Sequence, residues 1–118
     1  MGKQRFTESE WRNNPWFRQL CRALLLCRTE GDLANFLRDV ATLSELKALG
    51  ERFEVARQLD QGASYREASE STGASTATVT RVARFFNDGA GGYRRTLEQF
   101  VKLRRLNTSG TKAVRSRQ

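Results

Sequence analysis

The sequence predicts an all-α protein of about six helices that carries a helix-turn-helix. Three observations predict it. Apolar residues recur every three or four positions through most of the chain, and no stretch alternates with period two. Thr42 with Glu45, and Ser64 with Glu67, stand at the starts of such repeats with capping-box spacing. In the run from Ser64 to Phe86, two short helical patterns meet at Gly73.

The elements follow in chain order. Residues 1–14 are polar apart from Phe6 and Trp11, and are expected to be a flexible segment. Pro15 suits a helix start, because its missing N–H would be unpaired there anyway. From Trp16 to about Arg28, the residues Phe17, Leu20, Cys21, Leu24, Leu25 and Cys27 keep helical spacing. Thr29 and Asp32 flank the next start, followed by Leu33, Phe36, Leu37 and Val40. Thr42 and Glu45 open a long helix to about Gln61, with Leu46, Leu49, Phe53, Ala56 and Leu59 on one stripe. Gly62 ends it as a C-terminal cap. The helix-turn-helix occupies about residues 64–87. Asn87 to Gly92 reads as a loop, with no lysine and no preceding strand to make its glycines a phosphate loop. Tyr93, Leu97, Phe100 and Val101 mark a last helix that fades near Leu106. Residues 107–118 are rich in Ser, Thr and basic side chains, and are expected to be a disordered basic tail. One helical domain, residues 15–106, is the result.

Within residues 64–87 each position has a physical reason. The Ser64–Glu67 box satisfies free N–H groups of the first helix. Gly73 stands where the turn calls for positive φ, which glycine adopts cheaply. Ser75 can cap the second helix. Val79, Val82 and Phe86 share an inward face, with Ala68 opposite them. That leaves Thr76, Ala77, Thr80, Arg81 and Arg84 on the outer faces. The start of such a second helix enters the major groove, where short side chains allow close approach. Threonine can exchange hydrogen bonds with base edges or phosphates, alanine can touch a thymine methyl, and arginine can take guanine bidentately. A capped helical hairpin whose polar face meets only water fits the same pattern.

Charge points the same way without being specific. The 118 residues hold 21 Lys and Arg against 13 acids, a net charge of +8. Such a balance favours polyanions through counterion release. From Val101 onward, Lys102, Arg104, Arg105, Lys112, Arg115 and Arg117 occur with no acid. No apolar run is long enough to span a membrane, and the polar start lacks a secretory pattern, so a cytoplasmic location is expected. Cys21 and Cys27 have neither metal-site nor disulfide spacing, and are expected to be buried apolar side chains. With no histidine, no P-loop and no dinucleotide fingerprint, the sequence marks no nucleophile or base. The expectation is a protein that is not an enzyme and holds no metal or cofactor. Few aromatics are expected outside the core, which leaves base stacking on single-stranded RNA unsupported.

Leu43 to Gly92 resembles the Trp repressor superfamily. Glu51-Arg-Phe-Glu-Val-Ala-Arg and Gly73-Ala-Ser-Thr-Ala-Thr-Val-Thr-Arg-Val-Ala-Arg are most similar to the YerC/YecD-type Trp repressor-related group. The segment Trp16 to Val40 is compatible with that group's two leading helices. The resemblance implies a six-helix intertwined homodimer and a transcriptional regulator, usually a repressor. It implies DNA contacts by Arg66, Ser75, Thr76, Ala77 and Thr80, with Arg84 in reach. By the same resemblance, Thr42, Arg52 and Arg81 match the polar half of an amino-acid effector pocket, since paired guanidinium groups can clamp a carboxylate. The other half departs from the pattern. Val82 replaces a glycine and Phe85 a serine, so tryptophan binding of the founding kind is not expected. Arg52 and Arg81 could then pair with Glu51 or Asp88, or with phosphates. The expected partners are double-stranded DNA and a second copy of the chain, with no membrane. The rival from another class is a helical adaptor module with only nonspecific nucleic-acid affinity.

Overall fold

The computed structural model describes residues 6–116, with side chains as far as Leu106. Among the described residues the regular structure is all helical. A short 3-10 turn, Trp11–Asn13, precedes six α-helices: α1 (Pro15–Leu26), α2 (Glu30–Val40), α3 (Leu43–Asp60), α4 (Tyr65–Thr72), α5 (Thr76–Asp88) and α6 (Gly92–Ser116). The chain divides into two compact units, Met1–Leu46 and Lys47–Gln118.

In the first unit, caps set the helix starts. Asn14 accepts from the Phe17 amide at 3.0 Å, with Pro15 in the first helical position. Thr29 accepts from the Asp32 amide at 3.0 Å. Thr42 and Glu45 form the expected reciprocal pair, 2.8 and 3.1 Å. Residues 6–14 are more structured than their polar composition predicts. Phe6 and Trp11 each meet Phe17 edge to face at 5.6 Å, and Asn14 is buried. Two aromatic anchors and one cap hold this stretch, which hydropathy averaging does not register. The helical stripes of α1 and α2 bury no side chain fully within the single chain. Trp16 is 68 % and Leu25 83 % exposed. Cys21 and Cys27 are free and half-buried rather than buried, because α1, which carries Cys21 and is capped by Cys27, buries no side chain fully.

The second unit has a core of Val55, Ala56, Ala68, Ala74, Val79, Val82 and Leu97, with Phe53, Leu59, Phe86 and Tyr93 packed against it. α3, α4, α5 and α6 all contribute, and α5 packs on both α4 and α6. Leu49, expected on the α3 stripe, is exposed. Burial pushes the Tyr93 phenol above its ordinary range, although the Arg52 charge acts against the shift. The connection after α5 is shorter than expected, because Asn87 and Asp88 still belong to the helix. Asn87 donates from its amide to the Ala83 carbonyl at 2.9 Å. A side chain at Gly89 would run into the Phe85 carbonyl, so the turn that ends α5 needs glycine.

α6 continues to Ser116 rather than ending near Leu106, so the backbone of most of the expected tail is helical. The sequence signals an end there because Ser, Thr and Gly are poor helix formers and no apolar side chain keeps the repeat. A helix already nucleated needs neither, since each added residue gains a backbone hydrogen bond. The basic side chains Lys112, Arg115 and Arg117 lie outside the described side chains.

Candidate nucleic-acid interface

The helix-turn-helix is built from its caps. Glu67 N–H donates to Ser64 Oγ at 3.1 Å, and Ser64 N–H donates to Glu67 Oε1 at 2.9 Å. These bonds hold the Glu67 carboxyl below its ordinary range, the backbone bond contributing most. A lowered pKa in the folded state stabilises above the unfolded value, and the benefit is lost as pH falls through the folded one. Glu67→Gln should therefore cost stability at neutral pH, and the difference should shrink as pH falls below the ordinary carboxylate range and through the folded-state pKa of Glu67. Urea unfolding across a series of pH values from neutral to acidic tests this; a gap of equal size throughout would contradict the assignment.

The turn is closed by side chains that its own residues supply. Gly73 takes φ 79° and ends α4, its N–H donating to the Ser69 carbonyl at 2.9 Å. Ser69 Oγ donates to the Ala74 carbonyl at 2.6 Å, and Thr72 Oγ1 donates to the Ala68 carbonyl at 2.7 Å. Thr72 Oγ1 also accepts from the Ala74 amide at 3.1 Å. Ala74 is buried in the corner, and Ser75 caps α5 by accepting from the Thr78 amide at 3.1 Å. Ser71 Oγ donates to Gln58 Oε1 at 2.8 Å, tying α4 to α3. The angle between α4 and α5 is thus set by hydrogen bonds on both sides of a buried alanine.

α5 has two faces. Val79, Val82 and Ala83 are buried. Thr76, Ala77, Thr80, Arg81 and Arg84 are exposed, as are Ser75 and Arg66. Ala77, Thr80, Arg81 and Arg84 fall at i, i+3, i+4 and i+7, which is one stripe of a helix. No acid occurs from Ser71 to Asn87. The positive end of the α5 dipole adds to this field. Each expected DNA-contacting side chain therefore reaches solvent.

Several cations have neighbours that sequence reasoning missed. Arg81 lies over the Phe85 ring at 5.6 Å, and Arg94 over the Phe86 ring at 4.4 Å. Arg94 also donates to Asn87 Oδ1 at 2.9 Å. Arg66 Nε contacts Glu70 Oε1 at 3.0 Å, with both side chains largely exposed. Such an exposed pair is weak, yet it sets an acid beside a cation expected to meet phosphate. Glu70→Ala should raise affinity for any duplex about two- to fivefold. Unchanged affinity, measured by fluorescence anisotropy at low salt, would remove Arg66 from the interface.

The effector-pocket residues are placed as follows. Thr42 caps α3, with its hydroxyl accepting from Glu45. Arg52 and Arg81 are exposed. Glu51, one of the acids that could have neutralised them, pairs with Lys47 at 3.5 Å, and Arg81 rests on Phe85. Val82 is committed to the core. Phe85 lines an open groove of about 410 Å³ with Phe53, Ala90, Gly92, Tyr93 and Thr96. Tyr65, Phe85 and Phe100 are also exposed, more aromatic surface than the apolar periodicity predicts. Among the described residues no cluster of acids and cysteines could hold a metal ion, and no helix is long and apolar enough to cross a membrane.

Helical packing with a capped helix-turn-helix defines the class: a helical protein of the helix-turn-helix kind. Comparison with known proteins makes this specific. The family model described as Trp repressor protein matches residues 16–101, and the chain belongs to that family. Trp repressor-like proteins are DNA-binding regulators. The chain is similar to the uncharacterized protein YerC of Bacillus subtilis (strain 168), with 37 % identity over 81 residues, covering 69 % of this chain and 78 % of YerC. It is similar to the crystal structure of a TrpR-like protein from Eubacterium eligens ATCC 27750, at TM-score 0.72 and 39 % identity, covering 75 % of this chain and 91 % of that one. A Staphylococcus aureus structure described as a candidate Trp repressor matches at TM-score 0.74 and 29 % identity, covering 80 % and 94 %.

Proposed function

We propose that the protein is a homodimeric, sequence-specific DNA-binding transcriptional regulator, a repressor in the manner of its family, acting on cytoplasmic double-stranded DNA. One observation carries the reading: α5 buries Val79, Val82 and Ala83 while exposing Thr76, Ala77, Thr80, Arg81 and Arg84, in a stretch of chain, residues 71–87, that holds no acid. Base edges are read by Thr76, Ala77, Thr80, Arg81 and Arg84, and the backbone is held by Arg66, Ser75 and Arg95, with the basic end of α6 adding nonspecific affinity. Arg94 is given a smaller share, because it is already engaged with Asn87 and Phe86.

The exposed apolar stripe of α1, including Trp16 and Leu25, supports a second copy as its cover. A two-fold dimer would present two α5 helices about one DNA turn apart, roughly 34–36 Å. Effector control by tryptophan is not part of this reading, because Val82 and Phe85 stand where a flat ligand needs room.

Selection from random duplex DNA with the full chain tests the proposal. A palindrome with half-sites about one helical turn apart is the expected result. Salt-sensitive binding with no enriched sequence would overturn it in favour of the adaptor reading. Sedimentation equilibrium tests the dimer, and a monomer at micromolar concentration would remove that part.

A further inference from the structure

We infer that Phe85 is a positioning residue for DNA reading: its ring is a built-in platform that holds Arg81 ready for the duplex, with no small molecule required. The inference rests on the DNA-binding reading above and assigns a role within it. Arg81 and Phe85 are four residues apart on α5. Side chains on a helix lean toward its N-terminus, so the Phe85 ring falls over the turn that carries Arg81. The guanidinium carbon sits 5.6 Å from the ring centroid. This is within the range where the ring's electron-rich face attracts a cation.

Two features make the ring a platform rather than a casual neighbour. Phe85 is 43 % exposed, so part of the ring is withdrawn from water. It also forms one wall of the groove shared with Phe53 and Tyr93, which limits its rotamers. Below it, the Phe85 carbonyl accepts from the Gly89 amide at 2.9 Å and closes the end of α5. Its backbone is therefore fixed at the point where the helix stops. Arg81, by contrast, makes no ion pair with an acid among the described residues, so the ring is the contact that restrains it. A free arginine loses considerable rotamer freedom when it docks on a base or phosphate. An arginine already lying on a ring has lost part of that freedom before DNA arrives. The ring is charge-neutral, so it orders the guanidinium without neutralising it. A carboxylate in its place, like Glu70 beside Arg66, would compete with phosphate.

The test is a double-mutant cycle on the full chain. Phe85→Leu keeps an apolar side chain and removes the aromatic face, whereas Phe85→Tyr keeps the face. Arg81→Ala removes the group being positioned. Binding is measured on a selected duplex and on random duplex, with thermal unfolding of each variant alongside. The expected result is that Phe85→Leu weakens the selected duplex about two- to fivefold more than the random one. Phe85→Tyr should restore it, and Phe85→Leu should have no effect in the Arg81→Ala background. An equal loss in that background would overturn the inference, because Phe85 would then act through packing alone. No loss on Phe85→Leu, in a wild-type protein that does discriminate, would overturn it while leaving the DNA-binding reading intact. A wild-type protein without discrimination would overturn both.

Discussion

Leu97→Ala is expected to destabilise the protein by about 2–5 kcal/mol, the cost of truncating a buried leucine. Leu97 is 2 % exposed and is the buried α6 residue of the core cluster, which it shares with Val79 and Val82 of α5 among others. Domains of this size are stable by only about 5–15 kcal/mol, so the loss is a large fraction of the whole. The consequence for function follows from position. Val79 and Val82 form the inner face of the helix whose outer face carries Thr80, Arg81 and Arg84. Loosening α6 removes support from behind that helix. Urea unfolding should show a lower midpoint with little change in slope. DNA affinity at low temperature should fall less than stability does, because the capping and turn bonds of α4 and α5 do not involve Leu97. A change under about 1 kcal/mol would mean that the site collapses around the alanine and that α6 is not a necessary wall of the core.

The capping residues explain why so much of the fold was legible. Ser64, Thr42, Ser75 and Thr29 each act on the amide three positions ahead, so their work is written in local sequence. Gly73 is legible for the same reason: a left-handed residue is a local demand. Asn14, standing just before Pro15, is an equally local cap, but the polarity of the residues around it masks the signal. What local sequence does not specify is which half of a periodic stripe is covered. Leu49 and Leu25 keep helical spacing and are exposed, because burial depends on what lies opposite. The bonds of Ser69 and Thr72 to the corner at Ala74 depend on the turn's geometry, and no spacing rule predicts them. In the candidate site, exposure of the outer α5 face was legible because it is the complement of the buried one. The seat of Arg81 on Phe85 has i, i+4 spacing, yet the same spacing serves many uncoupled pairs. The end of α6 at Ser116 is not legible in the sequence, because apolar periodicity reports packing and a helix can outlast the surface it packs on.

Substitutions on the outer face of α5 should separate reading from mere attraction. Arg84 makes no ion pair among the described residues, and it lies one turn beyond Thr80 on the same stripe. If it takes a guanine edge, Arg84→Ala costs about 1–3 kcal/mol on the selected duplex and far less on random DNA. Thr80 has a shorter reach and one hydroxyl, so Thr80→Ala should cost less in affinity. It should nevertheless relax sequence preference more than it weakens nonspecific binding. Neither residue contributes to the core, so thermal unfolding should stay near the wild type, within about 0.5 kcal/mol. The salt dependence then assigns the chemistry. A base contact leaves the slope of log affinity against log salt unchanged, whereas loss of one phosphate contact lowers its magnitude by about 0.9. Equal losses of Arg84→Ala on selected and random duplex, with a flatter salt slope, would move Arg84 to the backbone. Sequence reading would then fall to Thr76, Ala77, Thr80 and Arg81. If Thr80→Ala also lost equally on both, the outer face of α5 would be an electrostatic surface, and specificity would have to come from DNA shape rather than from base edges.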